Sequence, residues 1–158
     1  MHLPTKIAAA ALAVLLAGGS EGPALLAGLW EVTNTPGVAR LNGRELKDLP
    51  LFQIRTEQVC VTPEVAANPA AFLAGDVAGH CDLNDVTVSN GRLQVSGVCP
   101  SADGGEPGTL AMQGPLERER YEIHFETSSS NDNGRMSFTG KLSGRRLGEC
   151  SEDTDAVG

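Results

Sequence analysis

CDLNDVTVSNGRLQVSGVC, residues 81–99, is the stretch whose reading decides the architecture of this chain. At its centre, Asn90-Gly91 is a strong signal for a two-residue β-hairpin turn, because both residues tolerate the positive φ that a type I′ turn demands. A two-residue turn sets the register: Ser89 faces Arg92, Val88 faces Leu93 and Val86 faces Val95, so the apolar residues share one face. Further from the turn the parity changes. Cys81 and Leu83 are odd-numbered while Val86 and Val88 are even, which implies one extra residue, a bulge near Asn84 and Asp85. Counting past that bulge brings Leu83 opposite Gly97 and Cys81 opposite Cys99.

The register also bears on the covalent framework. Four cysteines allow three pairings. Opposed positions on neighbouring strands lie close enough for a disulfide, which favours Cys81 with Cys99 and leaves Cys60 with Cys150. The second bridge closes a loop of roughly 90 residues, for which chain entropy predicts about 4 to 5 kcal/mol. A zinc site or a redox dithiol would want a close C-x-x-C pair, and the sequence has none. His80 beside Cys81 does not make a metal site, since adjacent strand residues point to opposite faces.

Outward from the hairpin, short alternating apolar runs among 19 glycines and nine prolines predict an antiparallel β domain. Downstream, a meander is expected: a strand over 109–114, a turn at Pro115, a strand over 119–127, a polar loop over 128–134, and a strand over 135–143. That loop length pairs Phe125 with Met136, Ile123 with Phe138 and Tyr121 with Gly140. Upstream, a first strand over 29–35 buries Trp30 and Val32 and ends at the turn pair Pro36-Gly37. A second over 51–61 changes parity between Phe52, Ile54 and Val59, Val61, which predicts a bulge. Thr62 as cap, Pro63 at the first helical position and Glu64 at the positive dipole end predict one short helix, broken or kinked at Pro69. Segments 40–50 and 100–108 read as loops. The fold class is mainly β, a curled antiparallel meander sheet or small open barrel with one short helix and two disulfides.

The N-terminus carries Lys6, an apolar run from Ile7 to Ala17, then Gly18, Gly19 and Ser20, the three-part pattern of a secretory signal. The run is shorter than the about 20 residues a membrane-spanning helix needs. Cleavage is expected near Gly19, giving a signal peptide at 1–19, a flexible segment at 20–28, one β-rich domain at 29–150 and a disordered acidic tail at 151–158, with a periplasmic address. A formal charge of −8 opposes binding to nucleic acid.

Chemistry is not legible in the same way. The G-x-S-x-G elbow of many hydrolases is absent from the sequence. His124 falls on the polar side of the Tyr121, Ile123, Phe125 strand, and Asp82, Asp85, Glu119, Glu122 and Glu126 read as solubilising carboxylates. Gly104, Gly105 and Gly108 follow no strand-to-helix phosphate pattern. Arg118, Arg120, Arg145 and Arg146 could gather around an anion, against the plainer reading of a scattered solvated face. Neither a catalytic residue nor a cofactor nor a metal is expected.

Three stretches together, Gly28-Leu29-Trp30-Glu31-Val32, Cys60-Val61-Thr62-Pro63-Glu64 and Gly144-Arg145-Arg146-Leu147-Gly148-Glu149-Cys150, resemble the domain-of-unknown-function family thirty-six-seventeen, small exported bacterial proteins. The resemblance implies a signal peptide, a short helix after the C-x-T-P-E stretch and a largely β domain. It brings no catalytic residues. The expected role is a non-enzymatic envelope module that binds an envelope protein or a small apolar ligand. The alternative is a periplasmic enzyme of unrecognised type using His124 or the strand carboxylates.

Overall fold

The computed structural model describes residues 24–47, 49, 53–78, 80–101, 104–151 and 156–157. The expected signal, Leu51, Phe52 and tail residues 152–155 lie outside them. Among the described residues, nine strands and two short helices follow in the order β1 (Gly28–Leu41), β2 (Arg44–Leu46), β3 (Arg55–Val61), α1 (Pro63–Ala67), α2 (Ala70–Ala78), β4 (Asp82–Ser89), β5 (Arg92–Cys99), β6 (Gly108–Glu117), β7 (Arg120–Asn131), β8 (Gly134–Gly148) and β9 (Ala156–Val157). They form one open sheet, ordered β4-β5-β6-β7-β8-β1-β3-β9, with β2 paired to β1 off that path. Every pairing is antiparallel except that of β3 with β9. No helix among the described residues is long and apolar enough to cross a membrane.

The β4–β5 hairpin has the register its turn dictates. Asn90 and Gly91 both have positive φ, Ser89 pairs with Arg92 and Val86 with Val95, and the ladder slips one residue between Leu83 and Asp85. Disulfides join Cys81 to Cys99 and Cys60 to Cys150. Thr62 caps α1 by accepting a hydrogen bond from the Val65 N–H. There are two helices rather than one, because Pro69 lacks the N–H that would continue the first and instead starts the second, its carbonyl accepting from the Leu73 N–H at 2.9 Å.

Elsewhere the strands run further than the sequence pattern indicates. Pro36-Gly37 is a bulge inside β1 and not a turn, and the Val38 N–H donates there to the Thr139 hydroxyl. Pro36 is tolerated because it lies between the end of the β3 pairing at Asn34 and the start of the β2 pairing at Ala39, where a missing N–H breaks no ladder on that side. The segment read as a loop from residue 40 holds a second hairpin, turning at Asn42-Gly43, both at positive φ. β3 starts at Arg55 and pairs with β1 without a register shift, so no bulge lies within it, and Ile54 precedes it. Pro115 lies inside β6, and the chain turns at Arg118-Glu119 instead.

The β7–β8 hairpin turns at Asp132-Asn133, with the Asn131 side chain accepting from the Asn133 N–H. Ser128 is satisfied by the Thr109 hydroxyl at 2.7 Å and by Arg135, so the serine run can stay in the sheet. The register therefore moves from expectation: Phe125 faces Gly140, Ile123 faces Leu142 and Tyr121 faces Gly144.

One sheet face carries the core. Leu93, Ile123, Leu142 and Trp30 are fully buried there, with Ala66, Leu73 and Ala74 of the helices packed over them. The Trp30 indole donates to the Leu26 carbonyl and stacks on Tyr121 with ring centroids 5.7 Å apart. Ahead of β1, Leu25 is fully buried, its N–H donates to the Ala66 carbonyl, and the Leu26 N–H donates to that of Arg118. Ala156 and Val157, placed in the expected disordered tail, pair with Cys60 and Val61, beside the bridge that anchors Cys150.

Candidate functional site

The sheet face opposite the core holds an open trough of about 880 Å³. It follows from strand alternation: where Leu93, Val95, Met112, Ile123 and Phe125 turn inward, their neighbours must turn out. Successive registers align these outward residues into a row crossing six strands, Thr87, Gln94, Gln113, His124, Lys141 and Thr35. A second row runs beside it through Asp85, Ser96, Ala111, Glu126 and Thr139. Both rows line the trough. Ala111, in the second row, leaves its floor low.

The two rows add side-chain amides, hydroxyls and a few charges to a partly apolar lining, and these groups can hydrogen-bond. On the core face the helices pack over the centre of the sheet. Lys141 Nζ lies 3.2 Å from Glu122 Oε2, and His124 Nε2 lies 3.5 Å from Glu122 Oε1. The hydrogen bond from Lys141, and then its charge, hold the Glu122 carboxyl below the usual carboxylate range. Ser96 Oγ donates to Asp85 at 3.3 Å. Among the described residues no group of three or more His, Cys, Asp or Glu side chains could hold a metal ion.

Other residues singled out in the sequence do not line the trough. His80 and Asp82 are exposed at the start of the β4 hairpin, and Gly104 and Gly105 lie in the loop before β6. Three of the four arginines are claimed by carboxylates: Arg120 by Glu117, Arg145 by Glu31 and Arg146 by Glu149. Glu119 sits in the turn whose carbonyl accepts from the Arg146 N–H. His124 and Glu126 are the sequence-level candidates that the trough brings together, and Asp85 joins them at its β4 end.

Gln94, Gln113, Lys141, Thr35, Thr87 and Thr139 were not legible as a site. The expected β7–β8 register sets His124 opposite Ser137, whereas His124 faces Lys141. A shift of four residues on one strand hides the whole row.

No curated protein and no solved structure matches the chain. The profile of one family does match, over residues 25–150, a span that takes in the sheet through β8, both helices and all four cysteines. The chain therefore belongs to the family described as protein of unknown function, DUF3617.

Proposed function

We propose that this protein is a non-enzymatic binding module of the bacterial cell envelope, exported to the periplasm, whose trough recognises a segment of an envelope protein. The carrying observation is the aligned row of Thr87, Gln94, Gln113, His124, Lys141 and Thr35. It offers donors and acceptors across six strands on a face the core does not use. A polypeptide in extended form suits such a surface, since its own amide groups repeat along its length. The charge of −8 favours a neutral or basic segment. Two disulfides support the oxidising compartment.

The test is site-specific photocrosslinking in cells with the probe at Gln113, and at Asn133 in the β7–β8 turn as control. The expected result is one envelope protein, identified by mass spectrometry, joined through position 113 and not 133. Its binding to the purified chain should weaken when Gln94→Arg narrows the trough. Absence of any adduct from the trough, or binding indifferent to Gln94→Arg, overturns the reading.

One observation favours the enzymatic alternative: His124 lies in the trough, in reach of Glu122. Its surroundings favour binding instead, because Lys141 already engages that carboxylate and His124 is 65% exposed.

A further inference from the structure

The two long edges of the sheet are finished differently. β3 presents Arg55, Glu57 and Gln58 along its length and has β9 paired over Cys60 and Val61. Charge and cover of this kind discourage a further strand. At the other edge, β4 pairs only with β5 among the described residues. Its first half is blunted by Asp82, Asp85 and the bulge, but Val86, Thr87, Val88 and Ser89 carry neither charge nor proline. Val86 is 48% and Val88 40% exposed.

Hairpin geometry decides which backbone groups are left over. Across a type I′ turn the flanking residues, Ser89 and Arg92, exchange both hydrogen bonds, and the alternation makes Thr87 and Gln94 the next such pair. The N–H and C=O groups of Val86 and Val88 therefore point away from the sheet. An antiparallel strand centred on Thr87 meets them in register.

We infer that a second copy of this chain adds edge to edge at β4, by two-fold symmetry about Thr87. That register sets Val86 against Val88 of the partner on the core side, Thr87 against Thr87 on the axis and Asp85 against Ser89, so no carboxylate meets another. A shift of two residues either way sets a valine against Asn84 or Asn90 instead. A shift of one would put trough face against core face. The result is an isologous interface. It places two troughs end to end, since Thr87 and Asp85 line the trough at its β4 margin. The inference stands on the edge geometry and does not depend on what the trough binds.

The test follows the mass of the purified, oxidised chain from low micromolar to near-millimolar concentration, at low and high salt. A doubling of mass is expected, at lower concentration when salt is high, because each copy carries −8. Under oxidation T87C should join to itself, while S89C, which faces Asp85, should not; peptide mapping reads the link. Val88→Pro removes an outward donor without touching the β4–β5 ladder, and V86K/V88K adds edge charge. Each should abolish the doubling while the melting curve stays cooperative. If either variant unfolds, the T87C against S89C comparison still decides. A single-chain mass throughout, equal linkage through 87 and 89, or a dimer that survives both folded edge variants overturns the inference.

Discussion

Arg120 and Arg145 stand directly opposite one another on β7 and β8, two like charges in register. Each is held from its far side: Glu117 accepts from Arg120 and Glu31 accepts from Arg145, both at 2.8 Å. The row reads minus, plus, plus, minus across β6, β7, β8 and β1. Opposed like charges destabilise a strand pair unless something else neutralises them, so the outer carboxylates matter more here than as isolated surface pairs. Glu31→Lys should lower the melting temperature by more than Glu31→Gln. High salt should shrink the gap between them, because all these groups are solvent-accessible. Melts of both variants at low and high ionic strength check this, and a salt-independent gap would refute it.

Two carboxyls tie stability to pH. Glu117 is held below the ordinary value of 4.5 chiefly by its hydrogen bond from Arg120, and Glu122 by its hydrogen bond from Lys141. A carboxyl whose pKa is lower in the folded state stabilises it above the unfolded pKa and loses that contribution as pH falls through the folded one. The melting temperature should therefore hold at neutral pH and decline from about pH 5 toward about pH 3. Glu117→Gln and Glu122→Gln should each flatten the decline. Profiles parallel to the parent would show that other groups govern it.

Three glycines in the sheet are set by what lies above them. A Cβ at Gly140 would overlap the Phe125 ring, one at Gly144 would overlap the Tyr121 ring, and one at Gly114 would run into the Glu122 backbone carbonyl. A ring can tilt, whereas a carbonyl held in the β6–β7 region cannot leave without opening the sheet. Gly140→Ala and Gly144→Ala should each cost about 1–3 kcal/mol, the range for overpacking, and Gly114→Ala should cost more than either. Gly105→Ala, whose nearest neighbour would be the Ser101 hydroxyl at 3.4 Å, is the control with little effect. Urea titrations rank the four.

What the sequence made legible was local. Asn90-Gly91 sets a register by itself, and arithmetic on residue numbers then reaches the bulge at Leu83 and the facing of Cys81 and Cys99. Asn42-Gly43 has the same turn chemistry, yet its second arm, Arg44–Leu46, offers only one apolar residue and reads as loop. Ser128 and its neighbours also read as loop, because their partners, Thr109 and Arg135, are supplied by distant strands and not by the run itself. The trough depends on such distances. Its row needs five strand pairings to be right at once, and an error in one moves Lys141 away from His124.

The two disulfides should differ in worth. Cys60 and Cys150 are separated by 90 residues and Cys81 and Cys99 by 18. Restricting the unfolded chain predicts about 4 to 5 kcal/mol for the longer loop and about 3 kcal/mol for the shorter. The longer bridge also ties the end of β3 to the C-terminal segment beside β9, whose two-residue pairing is too short to hold alone. The shorter one closes a hairpin that its turn and the β5–β6 ladder already hold in register. Replacing Cys60 and Cys150 by serine should therefore lower the urea midpoint more than replacing Cys81 and Cys99, and should speed hydrogen exchange at Cys60→Ser and Val61 first. Equal midpoints for the two double variants, or exchange rising first in the β4–β5 hairpin when the longer bridge is removed, would contradict this ranking.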